Sequence, residues 1–104
     1  MSGCFIVRAE IVDTAIRDDF DRWYQDEHLP DALEAFNALR AWRGWSDEDA
    51  NVHVAVYEFE DAAAARAIPG SEALARLVAE FDRHWGERVV RRREILEVKQ
   101  TIDR

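Results

Sequence analysis

Cysteine is nearly absent. Cys4 stands alone, so the chain can form no internal disulfide and holds neither a zinc ribbon nor a Cys-x-x-Cys redox pair. Such usage fits a reducing compartment, the cytoplasm. Proline and glycine are scarce as well, at two and four residues. With no Ser-rich or low-complexity stretch, no linker can be placed, and residues 1–104 read as one domain. Long hydrophobic runs are missing. The first apolar stretch, Cys4 to Val7, is cut at Arg8, too soon for a signal-peptide core or a membrane span. Positive charge is in deficit, with 14 Lys and Arg against 22 Asp and Glu and a net charge of -8. That field repels nucleic acid and anionic membranes, so neither is expected as a partner. The three histidines show no His-x-His or His-x-x-x-His spacing, and no metal site is expected. A Gly-rich phosphate loop, a Gly-x-Ser-x-Gly elbow and a Cys/His nucleophile pair are missing too, so no cofactor is expected.

What is present is a strongly patterned globular sequence, 48% hydrophobic and 35% charged, rich enough in apolar residues to fold alone. In Cys4–Ile11, Phe5, Val7, Ala9 and Ile11 alternate with Cys4, Ile6, Arg8 and Glu10, which reads as a strand. Asp13 or Thr14 can cap a helix whose stripe is Ile16, Phe20, Trp23 and Glu27, with Tyr24 and His28 beside it. Pro30 is expected to close that helix, because the residue before a proline is steered from helical angles. A short turn of helix, 31–36, is expected next. A strand over Ala38–Ser46, a polar connection at 47–51 and a returning strand Val52–Phe59 read as a hairpin. Asp61 caps an alanine-rich turn, Pro69-Gly70 interrupts, and Ser71 opens a helix on which Leu74, Leu77, Val78, Phe81 and Trp85 share a face. Leu77 and Phe81 centre that stripe and are assigned to the core. Gly86 stops it, and Val89–Gln100 reads as the last strand.

The order strand, helix, strand, strand, helix, strand defines an α+β ferredoxin-like βαββαβ fold. It is a four-stranded antiparallel sheet with both helices on one face. The strands are apolar on both faces, whereas an antiparallel sheet open to water on one side should not be. A second copy packed sheet to sheet, a two-fold homodimer, would cover the free face.

The densest chemistry lies in Trp23-Tyr24-Gln25-Asp26-Glu27-His28-Leu29-Pro30-Asp31. Tyr24 and His28, four residues apart, share a helix face. The Tyr-x-x-x-His-x-Pro spacing, with the element order, resembles the EthD-like group of the dimeric α/β-barrel superfamily, although Asp31 stands where that group is expected to carry an apolar residue. The resemblance implies a pocket between sheet and helices with His28 at its mouth and Tyr24 lining it. Relatives of this fold include cofactor-free monooxygenases, aromatic polyketide cyclases, muconolactone-type isomerases and many members without known activity, so the fold alone does not choose a function.

An imidazole is the natural proton-transfer group near neutral pH. His28 and Tyr24 are therefore the candidate catalytic residues, with Trp23, Asp31, Trp42, Tyr57 and Trp85 as candidate substrate-binding residues. The helix C-terminus, Glu27 and Asp31 would all favour the imidazolium, which leaves open whether His28 is a base, a proton donor or a capping residue. Two functions remain. One is a cofactor-independent enzyme transferring a proton on an apolar aromatic, polyketide or lactone-like molecule, of isomerase, cyclase or monooxygenase type. The other is a non-catalytic dimer that binds such a molecule or assists a pathway enzyme. Arg8, Glu10 and Arg43 fall inside strands expected to be buried, where charges need partners. Arg91, Arg92 and Arg93 alternate in direction along a strand and lie among Glu87, Glu94 and Glu97, a self-neutralised strand rather than a nucleic-acid stripe.

Overall fold

The computed structural model describes residues 2–104. Four strands, β1 (Gly3–Ile11), β2 (Arg40–Trp45), β3 (Val52–Phe59) and β4 (Val89–Glu97), form one sheet in the order β2-β3-β1-β4. Every neighbouring pair is antiparallel. This is the expected βαββαβ arrangement, and the alternation in β1 comes out as read, with Phe5, Val7, Ala9 and Ile11 buried. Strand β3 keeps its expected limits, whereas β2 and β4 are shorter than expected at both ends and at the C-terminal end respectively.

The helical layer begins at Asp13, whose carboxylate accepts from the Ala15 amide and opens a 3-10 turn (Thr14–Ile16). Helix α1 (Arg17–Trp23), a π-helical turn (Tyr24–His28) and α2 (Leu29–Phe36) then run on as one continuous helix. The expected stop at Pro30 does not occur. In the π turn the Leu29 amide reaches back five residues to the Tyr24 carbonyl, so the ladder is already re-registered where Pro30 has no amide to give. The proline then sits just past the widened turn, in the first turn of α2, and the continuous helix forgoes only the one bond its missing amide would have made. The true end is Asn37, in the left-handed conformation at φ 53°. Its amide bonds the Glu34 carbonyl and that of Ala38 bonds the Leu33 carbonyl, a glycine-type C-cap made by asparagine.

The second helical stretch is broken as expected, into α3 (Ala62–Arg66) and α4 (Glu72–His84). Asp61 and Ser71 cap them through the Ala64 and Leu74 amides. Helix α3 lies so close to β1 that a Cβ on Gly3 would stand 2.7 Å from the Ala62 Cα; only glycine permits that approach. No helix among the described residues is long and apolar enough to cross a membrane.

The core lies between the sheet and the helices. The opposite sheet face carries Ile6, Val54, Val56 and Trp42 among Arg8, Glu10, Arg92 and Glu94, with Trp42, Val90 and Leu96 about half exposed. Arg8 and Glu10 are exposed on that face in the single chain, while Arg43, on the core side, finds its partner within the chain.

Phe81 is 2% exposed at the centre of the α4 stripe. Phe81→Ala should lower unfolding stability by about 3 to 5 kcal/mol in urea titrations. A loss below about 1 kcal/mol would mean that α4 does not close the core.

Candidate functional site

A cleft opens between α4 and the edge strand β4 and runs inward under the helices. Its half-exposed rim is Leu74 and Val78 of α4 with Arg91 and Arg93 of β4; its depth is Phe5, Val7, Tyr57, Leu77, Phe81, Tyr24, His28 and Phe36. The free space inside is ≈ 20 Å³, room for about one water molecule. The π turn supplies the two polar groups from the helical layer. Tyr24 and His28 open and close that turn and both face inward, buried to 1% and 8% exposure; such turns recur at functional sites.

His28 stacks on Trp23 at 4.6 Å between ring centroids and meets the Tyr24 ring edge-on at 4.8 Å. Its Nδ1 is buried without a hydrogen-bond partner. Burial pushes the imidazole down to about 4, against the Asp31 carboxylate and with Arg91, His84 and Arg76. The helix end and neighbouring acids expected to favour the imidazolium are thus outweighed: the helix does not end at His28, and desolvation of the cation dominates. Because the helix runs on through Phe36, His28 has no terminal carbonyls to cap. Tyr24 and Tyr57 are both held as neutral phenols by burial, the first pushed up to about 12 and the second well above its ordinary range. Both rings line the cleft, and each phenol, kept neutral, retains a proton to donate.

Behind Tyr24 sits a second polar group that spacing alone did not reveal. Asp21 accepts from Arg43 at 2.8 Å and from the Trp45 indole at 2.7 Å, and the same Arg43 nitrogen lies 3.2 Å from His53 Nε2. A guanidinium only donates, so His53 Nε2 is the acceptor and its proton resides on Nδ1. His53 is fully buried, its ring 4.4 Å from that of Tyr24, and burial with Arg43 beside it pushes it down to about 4.

The other candidate residues separate. Tyr57 lines the cleft. Trp23 backs His28, and Trp85 packs on Trp23 and Phe20 a layer away; neither lines it. Asp31 holds Arg76 of α4 through two bonds of 3.1 and 3.2 Å, a clasp between α2 and α4 outside the cleft. Trp42 stands on the opposite sheet face, 51% exposed, its indole donating to Glu58 at 2.7 Å; as a cleft residue it is corrected by strand parity, since its neighbours Arg43 and Trp45 take the core side. The unanticipated lining residues are the apolar side chains of β1, α2 and α4 together with Arg91 and Arg93. Alternation had signalled that these two arginines share a face. Among the described residues no group of three His, Cys, Asp or Glu side chains could hold a metal ion.

No protein-family model matches the chain, and no curated protein matches it by sequence. Solved structures do match in fold. HapK from Hahella chejuensis is 23% identical with a TM-score of 0.66, over 95% of this chain and 92% of that one. SnoaB, a cofactor-independent oxygenase from Streptomyces nogalater, is 13% identical with a TM-score of 0.62, over 99% and 98%. A NIPSNAP family protein of unknown function from Agrobacterium tumefaciens is 16% identical with a TM-score of 0.63, over 92% and 87%. The chain therefore has the ferredoxin-like fold of these proteins.

Because His28 and His53 are both held near 4 in the folded protein against about 6.5 unfolded, the unfolded chain binds more protons between those values. Stability should fall as pH drops from about 6.5 towards 4, each histidine accounting for on the order of 3 kcal/mol at full protonation. Urea midpoints between pH 7 and 4.5 test this: His28→Asn should flatten the profile, and an unchanged slope would show that burial does not hold His28 neutral.

Proposed function

We propose that this protein is a small cofactor-independent enzyme that transfers a proton on an apolar aromatic, polyketide or lactone-like molecule bound in the cleft. The observation that carries this reading is His28 Nδ1, buried without a partner beside two neutral phenols in a cleft whose depth is otherwise apolar. His28 takes a proton from the carbon next to a carbonyl, the C–H electron pair passes into an enolate, and the Tyr24 hydroxyl donates to the enolate oxygen. Burial makes a bare imidazolium costly here, but the enolate forms next to it as its counter-charge. Proton removal and charge pairing thus occur together. Return of the proton to another carbon makes the reaction an isomerisation; attack of the enolate on a second carbonyl makes it a cyclisation; addition of the enolate carbon to dioxygen, followed by O–O cleavage of the hydroperoxide with loss of water as that carbon is oxidised to a carbonyl, makes it a monooxygenation. The description of SnoaB as a cofactor-independent oxygenase supports this range.

The same proposal includes an EthD-like placement, resting on the Trp23–Asp31 segment, a cytoplasmic setting, resting on the lone thiol of Cys4, and a sheet-to-sheet homodimer. The dimer is supported by Trp42, Val90 and Leu96, half exposed on the sheet face that the helices do not cover. A second reading is a non-catalytic binding or accessory dimer, which needs no chemistry from His28. A space of ≈ 20 Å³ admits an aromatic molecule only when α4 moves outward, and both readings require that motion.

A panel of aromatic ketones and lactones in deuterated buffer separates the two. Wild type should incorporate solvent deuterium next to the carbonyl of at least one compound, and His28→Asn should lose about a hundredfold or more in that rate while retaining its fold. Ligands that raise the melting temperature but never exchange would establish the binding reading. Sedimentation should give a dimer at micromolar concentration, and a monomer would remove the sheet-to-sheet pairing.

A further inference from the structure

Arg91 and Arg93 stand two residues apart on the helix-facing side of β4, opposite Ala9 and Val7 of β1, and both line the cleft. Their settings differ. Arg91 is committed: it bonds Asp82 at 2.6 Å and its guanidinium lies 4.0 Å over the Phe81 ring. Arg93 is exposed and takes part in none of the ion pairs or side-chain hydrogen bonds among the described residues. The nearby acids are otherwise engaged or turned away. Asp31 and Glu80 face Arg76, and Glu94 follows Arg93 on the other side of the strand. In a chain with eight more acids than bases, two guanidiniums with one carboxylate between them leave an unmatched positive charge at the rim of an apolar cleft. Each guanidinium offers a planar fork of donors that fits a carboxylate in two parallel bonds.

We propose that the cleft takes a carboxylate-bearing aromatic or polyketide molecule, held at the rim by Arg93 with Arg91 beside it, its ring system entering as α4 moves outward from the ≈ 20 Å³ space and directed against Phe5, Val7 and Leu77 towards His28. This rests on the cleft being the ligand site and adds the chemical class of the ligand. The rim charge fixes which end enters: the apolar end goes to the imidazole and the phenols, and the anion stays where water and two guanidiniums share it. Burial first and repulsion from Arg93 second push the Arg91 guanidinium down, and the repulsion is offset when a carboxylate arrives.

The test compares 1-naphthoate with its neutral analogue 1-naphthylmethanol by calorimetric titration of the full chain, with His28→Trp as a cleft-blocked control. Wild type should bind the carboxylate at least about tenfold more tightly, with a preference that shrinks as salt rises. Arg93→Gln, at an exposed position without a partner, should abolish the preference while leaving the neutral compound unchanged, and Arg93→Lys should restore part of it. Equal affinities in wild type, or a preference surviving Arg93→Gln, would overturn the carboxylate assignment. If the neutral compound then still bound wild type and not His28→Trp, the cleft would stand as the ligand site. Binding of neither compound would overturn both.

Discussion

The Phe20 ring has no exposed surface and touches, tilted or edge-on, the rings of Trp23, Tyr24, Trp45, His53, Phe81 and Trp85. Those neighbours come from the first helix, the π turn, two strands, the second helix and its exit, so one side chain sets the distance between every layer. Aromatic edges and faces attract in such arrangements beyond the area they bury. The constraint has a second effect, because a space filled by rings has few oxygens to accept hydrogen bonds. Trp23 Nε1, Trp85 Nε1 and the Nδ1 atoms of His28 and His53 are all left without partners. Burying neutral imidazoles is tolerable; burying their cations is not.

The two buried histidines meet that constraint differently. His53 is fixed through Nε2 by Arg43, itself held by Asp21, so its tautomer is set by the strand next door. His28 has the Trp23 ring on one side and the cleft on the other. Nothing comparable anchors it. The first is part of a rigid brace linking α1, β2 and β3. The second is the group whose unmet hydrogen-bonding capacity lies where a ligand can reach it.

Strand alternation and helix caps are local, and they were legible. Phe5, Val7, Ala9 and Ile11 announced the core face of β1, and Asp61 and Ser71 announced their helices, because each signal depends only on its near neighbours. Pro30 misled for the same reason: its local preference is real, but the π turn before it changes which carbonyls require donors. Trp42 was a parity error, for even positions in β2 face away from the helices while Arg43 and Trp45 face them. Arg91, Arg92 and Arg93 read as neutralised by Glu87, Glu94 and Glu97, yet Glu94 goes with Arg92 to the far face and Glu97 is taken by Arg66 and Lys99, which leaves Arg93 unmatched. The sum concealed a separation.

The extra residue in the π turn also works as a phase shift. Each residue advances a helix by about 100°, so closing Tyr24–His28 as ordinary α-helix at its full length would rotate α2 by roughly that angle against α1. Phe20 and Trp23 would then keep their places only if His28, Ala32 and Phe36 left theirs, and the Asp31 clasp on Arg76 would point elsewhere. The irregular turn is therefore a gear between two helical segments that bury different faces. A more regular, intrinsically more stable helix would be a worse part for this protein.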